Sequence, residues 1–151
     1  MDREKILVSE QVLQVPFCYS AGKVVSRFLL GLAEECTIYG IRCPACARVY
    51  VPPRATCGRC FVENTEWVPL SGAGVIETFT EVNYTETVHP LPAPFWIGVI
   101  RLDGADTGMV HLLRTGEGFE PGIGRRVRAV FARKRSGRIL DISHFEPISS
   151  K

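Results

Sequence analysis

At 151 residues, 46% of them apolar, the chain can bury one ordinary core, or a modest core plus a metal-stapled module. Its formal charge is +2, from 18 basic and 16 acidic side chains. The start, Met1-Asp2-Arg3-Glu4-Lys5, lacks the apolar core of a signal peptide, and no apolar run nears the roughly 20 residues of a membrane span, so the expected compartment is cytoplasmic and no membrane partner is expected.

Residues 1–19, with Val12, Val15 and Pro16, show no helical period and read as an extended arm. From Lys23 to Glu35 the positions Val24, Val25, Phe28, Leu29 and Leu32 recur at helical spacing, which predicts an amphipathic helix within 20–38. Ser20 is the expected N-cap, and Gly31 weakens the last turn. The apolar face Val24, Phe28, Leu29 and Leu32 either covers the chain's own core or docks a partner. Most such faces cover their own core, but only a small metal module lies beside this one, so both readings are carried forward with docking as the contact hypothesis.

Two CxxC pairs follow, Cys43-Pro44-Ala45-Cys46 and Cys57-Gly58-Arg59-Cys60. Each pair is spaced to place two thiolates on one ion, and four Cys sulfurs make a closed tetrahedral shell for structural Zn²⁺. Two disulfides, a redox pair or iron are the competing assignments; a disulfide framework would call for a secretion signal. Ten residues separate the pairs, so the loop is tight. Val51-Pro52-Pro53-Arg54 suits such a loop, and Gly58 is expected at positive φ. Cys18 and Cys36 read as small buried hydrophobes.

After Cys60 the pattern becomes β-rich: Trp67 to Leu70, Val75 to Tyr84, Phe95 to Leu102, Thr107 to Leu113, Val127 to Arg133 and Ile139 to Phe145. Turn signals part them at Ser71-Gly72-Ala73-Gly74, the Pro90/Pro92/Pro94 loop, Asp103-Gly104, Pro121-Gly122-Ile123-Gly124 and Ser136-Gly137. This predicts a mainly β chain ending in a five-stranded OB-fold barrel over 67–147, with an SH3-like barrel or a small sandwich as alternatives. Phe79, Phe95, Trp96 and Phe131 are its expected core. The zinc ribbon then spans 39–66, and 148–151 is a tail.

Charge is uneven. Phe61 to Glu120 holds nine acids and two bases, whereas Pro121 to Leu140 holds seven bases and no acid. Of these bases, Arg126, Arg128, Arg133, Lys134, Arg135 and Arg138 are candidate phosphate contacts, because guanidinium forks match phosphate oxygens. Strand alternation places Arg126 and Arg128 on one exposed face. A solvated hairpin protecting an edge strand is the competing account. His89, His111 and His144 form no catalytic constellation with other side chains, and Asp103-Gly104-Ala105-Asp106 reads as a turn with too few ligands for calcium. Single-stranded nucleic acid is the alternative ligand for a ribbon and barrel, but Glu77, Glu81, Glu86, Asp103 and Asp106 oppose it.

The helix, Arg42-Cys43-Pro44-Ala45-Cys46, Pro52-Pro53-Arg54, Cys57-Gly58-Arg59-Cys60, Trp67 before Ser71-Gly72-Ala73-Gly74, and Pro92-Ala93-Pro94-Phe95 leading into Val99-Ile100-Arg101-Leu102-Asp103-Gly104 follow one another in an order that resembles the DUF35 family over residues 20–147. The resemblance implies an N-terminal helix, a rubredoxin-like zinc ribbon and a C-terminal OB-fold. It further implies a non-catalytic accessory subunit beside a thiolase-like enzyme, less often a hydratase, which docks that enzyme and helps hold or pass a CoA thioester shared as ligand. The arm at 1–19 falls outside the match.

Overall fold

A computed structural model of the protein describes residues 7–13, 15–114 and 120–148. One helix, α1 (Gly22–Glu34), precedes strands β1 (Ile38–Arg42), β2 (Val49–Tyr50), β3 (Glu66–Leu70), β4 (Ala73–Val82), β5 (Phe95–Leu102), β6 (Gly108–Leu112), β7 (Arg126–Phe131) and β8 (Ile142–Pro147), with a 3₁₀ turn at Ile139–Asp141. The tail at 148–151 lies outside the described residues apart from Ile148, as do residues 1–6 and Gln14 of the arm.

The strands form two antiparallel sheets, β2-β1-β3 and β6-β5-β4-β7-β8. In the second, β4 and β5 pair from Gly74↔Leu102 to Val82↔Phe95, and a parallel bridge, Leu113↔Phe145, joins the chain after β6 to β8. That bridge closes the five strands into a Greek-key barrel of the OB type. Gly74 sits where β4 and β5 press together: a Cβ there would lie 2.9 Å from both the Arg101 carbonyl carbon and the Leu102 Cα.

The core explains the helix. Phe28 and Leu32 of α1 are buried in a single cluster with Ile38 and Val51 of the ribbon and with Ile76, Ile100, Leu102, Met109, Leu113, Val127, Ile142 and Phe145 of the barrel. Helix, ribbon and barrel thus share one interior and are not three separately packed modules. This corrects the docking-face expectation. Phe28 and Leu32 are 3% and 0% exposed, Leu29 packs on the same cluster, and Val24 packs on the cysteine cluster. A partner cannot reach Phe28 or Leu32 without unpacking the core. The helix's exposed large apolar side chains are Val25 and Leu30.

Other expectations shift for local reasons. Ala21 is the N-cap, although Ser20 Oγ accepts the Gly22 N–H at 3.2 Å. Cys18 and Cys36 are exposed, not buried; Cys36 lies just past the helix in a left-handed turn, φ 50°. Trp67–Leu70, read as the first barrel strand, pairs with β1 from Ile41↔Trp67 to Ile38↔Leu70 and completes the ribbon sheet. Trp67 packs on both the main cluster and the cysteine cluster, which joins ribbon to barrel. Phe95 is buried, while Phe79, Trp96 and Phe131 are half-buried against the main cluster.

Candidate metal centre and basic hairpin

The two CxxC segments are built alike. In the first, Cys43 N–H donates to the Arg48 carbonyl at 2.9 Å and Ala47 N–H returns to the Cys43 carbonyl at 2.9 Å. The second repeats this with Cys57 N–H to Val62 at 2.9 Å and Phe61 N–H to Cys57 at 3.0 Å. The chain turns back on itself after the second cysteine of each pair, so the left-handed residues are Ala47 (φ 60°) and Phe61 (φ 57°). Gly58, expected at positive φ, does not have it.

These turns bring Cys43, Cys46, Cys57 and Cys60 together with all four Sγ atoms within 4.8 Å of one another. Zn–S bonds of about 2.3 Å in a tetrahedron require sulfurs about 3.8 Å apart, and Cys46 Sγ lies 3.8 Å from Cys57 Sγ. The donor set fits zinc. Cys43 and Cys57 are buried and Cys46 and Cys60 half-buried, so the site is screened from solvent on its inner side.

The surroundings favour thiolate. The Tyr50 hydroxyl lies 3.2 Å from Cys57 Sγ, and the Arg59 and Cys60 N–H groups both donate to that sulfur at 3.4 Å. The Tyr50 contact first, then these amides, hold the Cys57 thiol down to about 6 despite burial. Beside it, the Cys46 contact, burial and the Cys57 charge push Cys60 up to about 12. Sulfurs crowded this closely cannot all ionise on their own account; a bound divalent cation would supply the missing charge. Four protein ligands leave no open position, so a zinc ion held here would staple β1 to the segment that leads into β3.

The basic residues divide into two groups. Arg126 forks onto Asp103 through Nη1–Oδ1 at 2.6 Å and Nη2–Oδ2 at 2.5 Å, which holds the Asp103 carboxyl below its usual range. Arg128 grips Glu146 Oε1 from Nε and Nη2 at 2.9 and 2.7 Å. Both are exposed on one face of β7, as alternation requires. Arg135 donates from Nε to the Ala33 carbonyl at 2.8 Å and from Nη1 to Ala132 at 2.9 Å, tying the hairpin to the C-terminal turn of α1. These three are engaged within the chain. Arg133, Lys134 and Arg138 are exposed, and their side chains make no ion pair among the described residues.

Asp141, which the sequence reading did not single out, is 3% exposed. Its carboxylate accepts the N–H groups of Ser136 (3.0 and 3.2 Å), Gly137 (2.8 Å) and Arg138 (3.2 Å). Burial pushes its carboxyl up, but the backbone donors and Arg135 prevail and hold it below the usual range. This is why the predicted strand from Ile139 starts only at Ile142: the chain first winds around Asp141. The Ser136-Gly137 turn followed by an acid four residues on was the available signal.

Two of the histidines, His111 and His89, are held within the fold. His111 is buried, with Nδ1 accepting the Leu112 N–H at 2.8 Å and Nε2 3.1 Å from the Ile139 carbonyl; burial pushes its imidazole down. His89 lies against Tyr84 and Phe95, at 5.1 and 5.4 Å between ring centroids, with Nδ1 accepting the Glu86 N–H at 3.3 Å. No helix among the described residues is long and apolar enough to cross a membrane.

Comparison with known proteins agrees with this architecture. Residues 33–66 match the ChsH2 rubredoxin-like zinc ribbon domain, and residues 67–132 match the ChsH2 C-terminal OB-fold domain. A DUF35 domain-containing scaffold protein from Methanocaldococcus jannaschii is 32% identical over 114 residues, 74% of this chain and 79% of that protein. A DUF35-family protein of unknown function from Sulfolobus solfataricus superposes with a TM-score of 0.60 at 21% identity, over 83% of this chain and 84% of its own. A chain of the Ltp2-ChsH2(DUF35) aldolase does so with a TM-score of 0.63 at 19% identity, over 85% and 98%. At those identities the two structures speak to the fold.

Proposed function

This chain belongs to the DUF35 family, and from that premise we propose that it is a zinc-stapled, non-catalytic accessory subunit that docks a thiolase-like enzyme and helps hold a CoA thioester. The observation that carries the docking half is the arm. Leu7, Val8, Val12, Leu13, Val15, Phe17 and Tyr19 are 65–88% exposed in a run ahead of α1. An apolar surface of that kind is what a partner protein covers. The ribbon supplies a closed metal site suited to holding shape, and the scaffold name of the Methanocaldococcus relative and the aldolase complex containing a DUF35 chain accord with a partner enzyme.

The CoA half rests on the hairpin. With Arg126, Arg128 and Arg135 engaged in the chain, Arg133, Lys134 and Arg138 are the cations free to meet the 3′-phosphate and pyrophosphate of CoA. The test is affinity isolation of the tagged chain at native expression level, with and without nuclease, followed by mass spectrometry. A stoichiometric thiolase-like or hydratase subunit that survives nuclease supports the reading. Nuclease-sensitive RNA or DNA without such an enzyme overturns it in favour of single-strand binding.

A further inference from the structure

The barrel closes between β6 and β8 at the bridge Leu113↔Phe145, beside which the Arg114 N–H donates to the Phe145 carbonyl at 2.8 Å. Side chains from both lips of this seam, with Leu91 from the proline loop, line a cavity of about 270 Å³: Leu91, Leu112, Leu113, Arg114, Ser143 and His144. Leu112 and Leu113 are buried and make its floor apolar.

Two polar groups here are incompletely hydrogen-bonded among the described residues. Ser143 Oγ lies 3.1 Å from His144 Nδ1; with the hydroxyl as donor, the ring proton resides on Nε2, which has no hydrogen-bond partner among the described residues. Burial holds the His144 imidazole below its usual range, which keeps it neutral near pH 7. Arg114 Nη1 is 3.9 Å from Glu146, beyond hydrogen-bond reach, and Glu146 is already gripped twice by Arg128. A guanidinium held only by this long ion pair to Glu146, with no hydrogen bond, and an imidazole N–H above three leucines match a carboxylate on a short hydrocarbon chain, fork to carboxylate and leucine to methylene.

We infer that this seam is a binding site for a short-chain monocarboxylate. At about 30 Å³ per water-sized group the cavity takes roughly nine such groups, a chain of about six carbons with its carboxylate. The site stands apart from the enzyme-docking reading, since its ligand is a free acid and no second protein is needed to bind it.

The experiment is titration of sodium hexanoate into the ¹⁵N-labelled full chain, followed by amide shifts. Saturable shifts confined to Leu91, 112–114 and 143–144 are expected, with Arg114→Gln weakening binding about tenfold. Lys23→Gln, away from this cavity, should leave binding unchanged, and hexanol should bind at least about tenfold more weakly than hexanoate. Dispersion of the same spectra reports folding; if Arg114→Gln does not fold, Arg114→Lys and His144→Gln substitute for it, the first predicted to bind more weakly through loss of the fork. Equal binding by hexanol, unchanged binding by the Arg114 variants, or shifts scattered over the arm and basic hairpin would overturn the assignment.

Discussion

Replacing Asp141 with Asn keeps the size of the side chain and removes its charge, and the structure allows the cost to be worked out. Three N–H groups point at the carboxylate, and a buried hydrogen bond to a charged group contributes about 1.5–3 kcal/mol. Asn retains one acceptor oxygen and turns an NH₂ toward the remaining donors, so about 3 kcal/mol of stability should be lost at pH 7. The folded-state pKa of Asp141 is depressed. Its contribution is therefore fully present above the unfolded value, about 3.9, and is lost as pH falls through the folded value. Urea denaturation of both proteins between pH 3 and 7 reads this directly. The wild type should lose its advantage over Asp141→Asn progressively below about pH 4. A difference under about 1 kcal/mol at pH 7, or one that does not shrink with acid, refutes the reasoning.

Wild-type protein should carry one zinc per chain by elemental analysis, and release it on acidification as protons compete for the thiolates; Cys43→Ser should bind none and open the ribbon to protease, and an unchanged digestion pattern in zinc-free protein would defeat the structural role. Phe28→Asp should destabilise the whole chain by about 3 kcal/mol or more, since it charges the shared core, while Val25→Asp on the exposed side of α1 stays within about 0.5 kcal/mol in the same urea assay. Gly74→Val should prevent folding, seen as loss of amide dispersion, because its Cβ meets the backbone of Arg101 and Leu102, which cannot step aside.

The metal ligands were legible because their spacing is itself the chemistry: two cysteines three apart, twice, and no other element needed to place them. The β5 limits, Phe95 to Leu102, were legible because an apolar run was bounded by proline and by Asp103-Gly104. The role of α1 was not, because helical spacing shows that Phe28 and Leu32 share a face but not what lies opposite; β1 and the 3₁₀ turn at Ile139–Asp141, the latter about a hundred residues on, supply that answer. Trp67–Leu70 was given to the barrel for the same reason, since pairing with β1 is a long-range choice that alternation leaves open. The arginines were read from the local charge run and strand alternation, and neither reveals that Asp103 and Glu146, acids from outside the basic stretch, meet Arg126 and Arg128.

The most direct test of the central claim is sedimentation of the chain with the thiolase-like subunit recovered in affinity isolation, using full-length protein and a variant lacking residues 1–19. The account predicts a discrete hetero-oligomer with the full chain and free subunits with the shortened one, each chain retaining its zinc. Two independent boundaries with the full-length chain would contradict it.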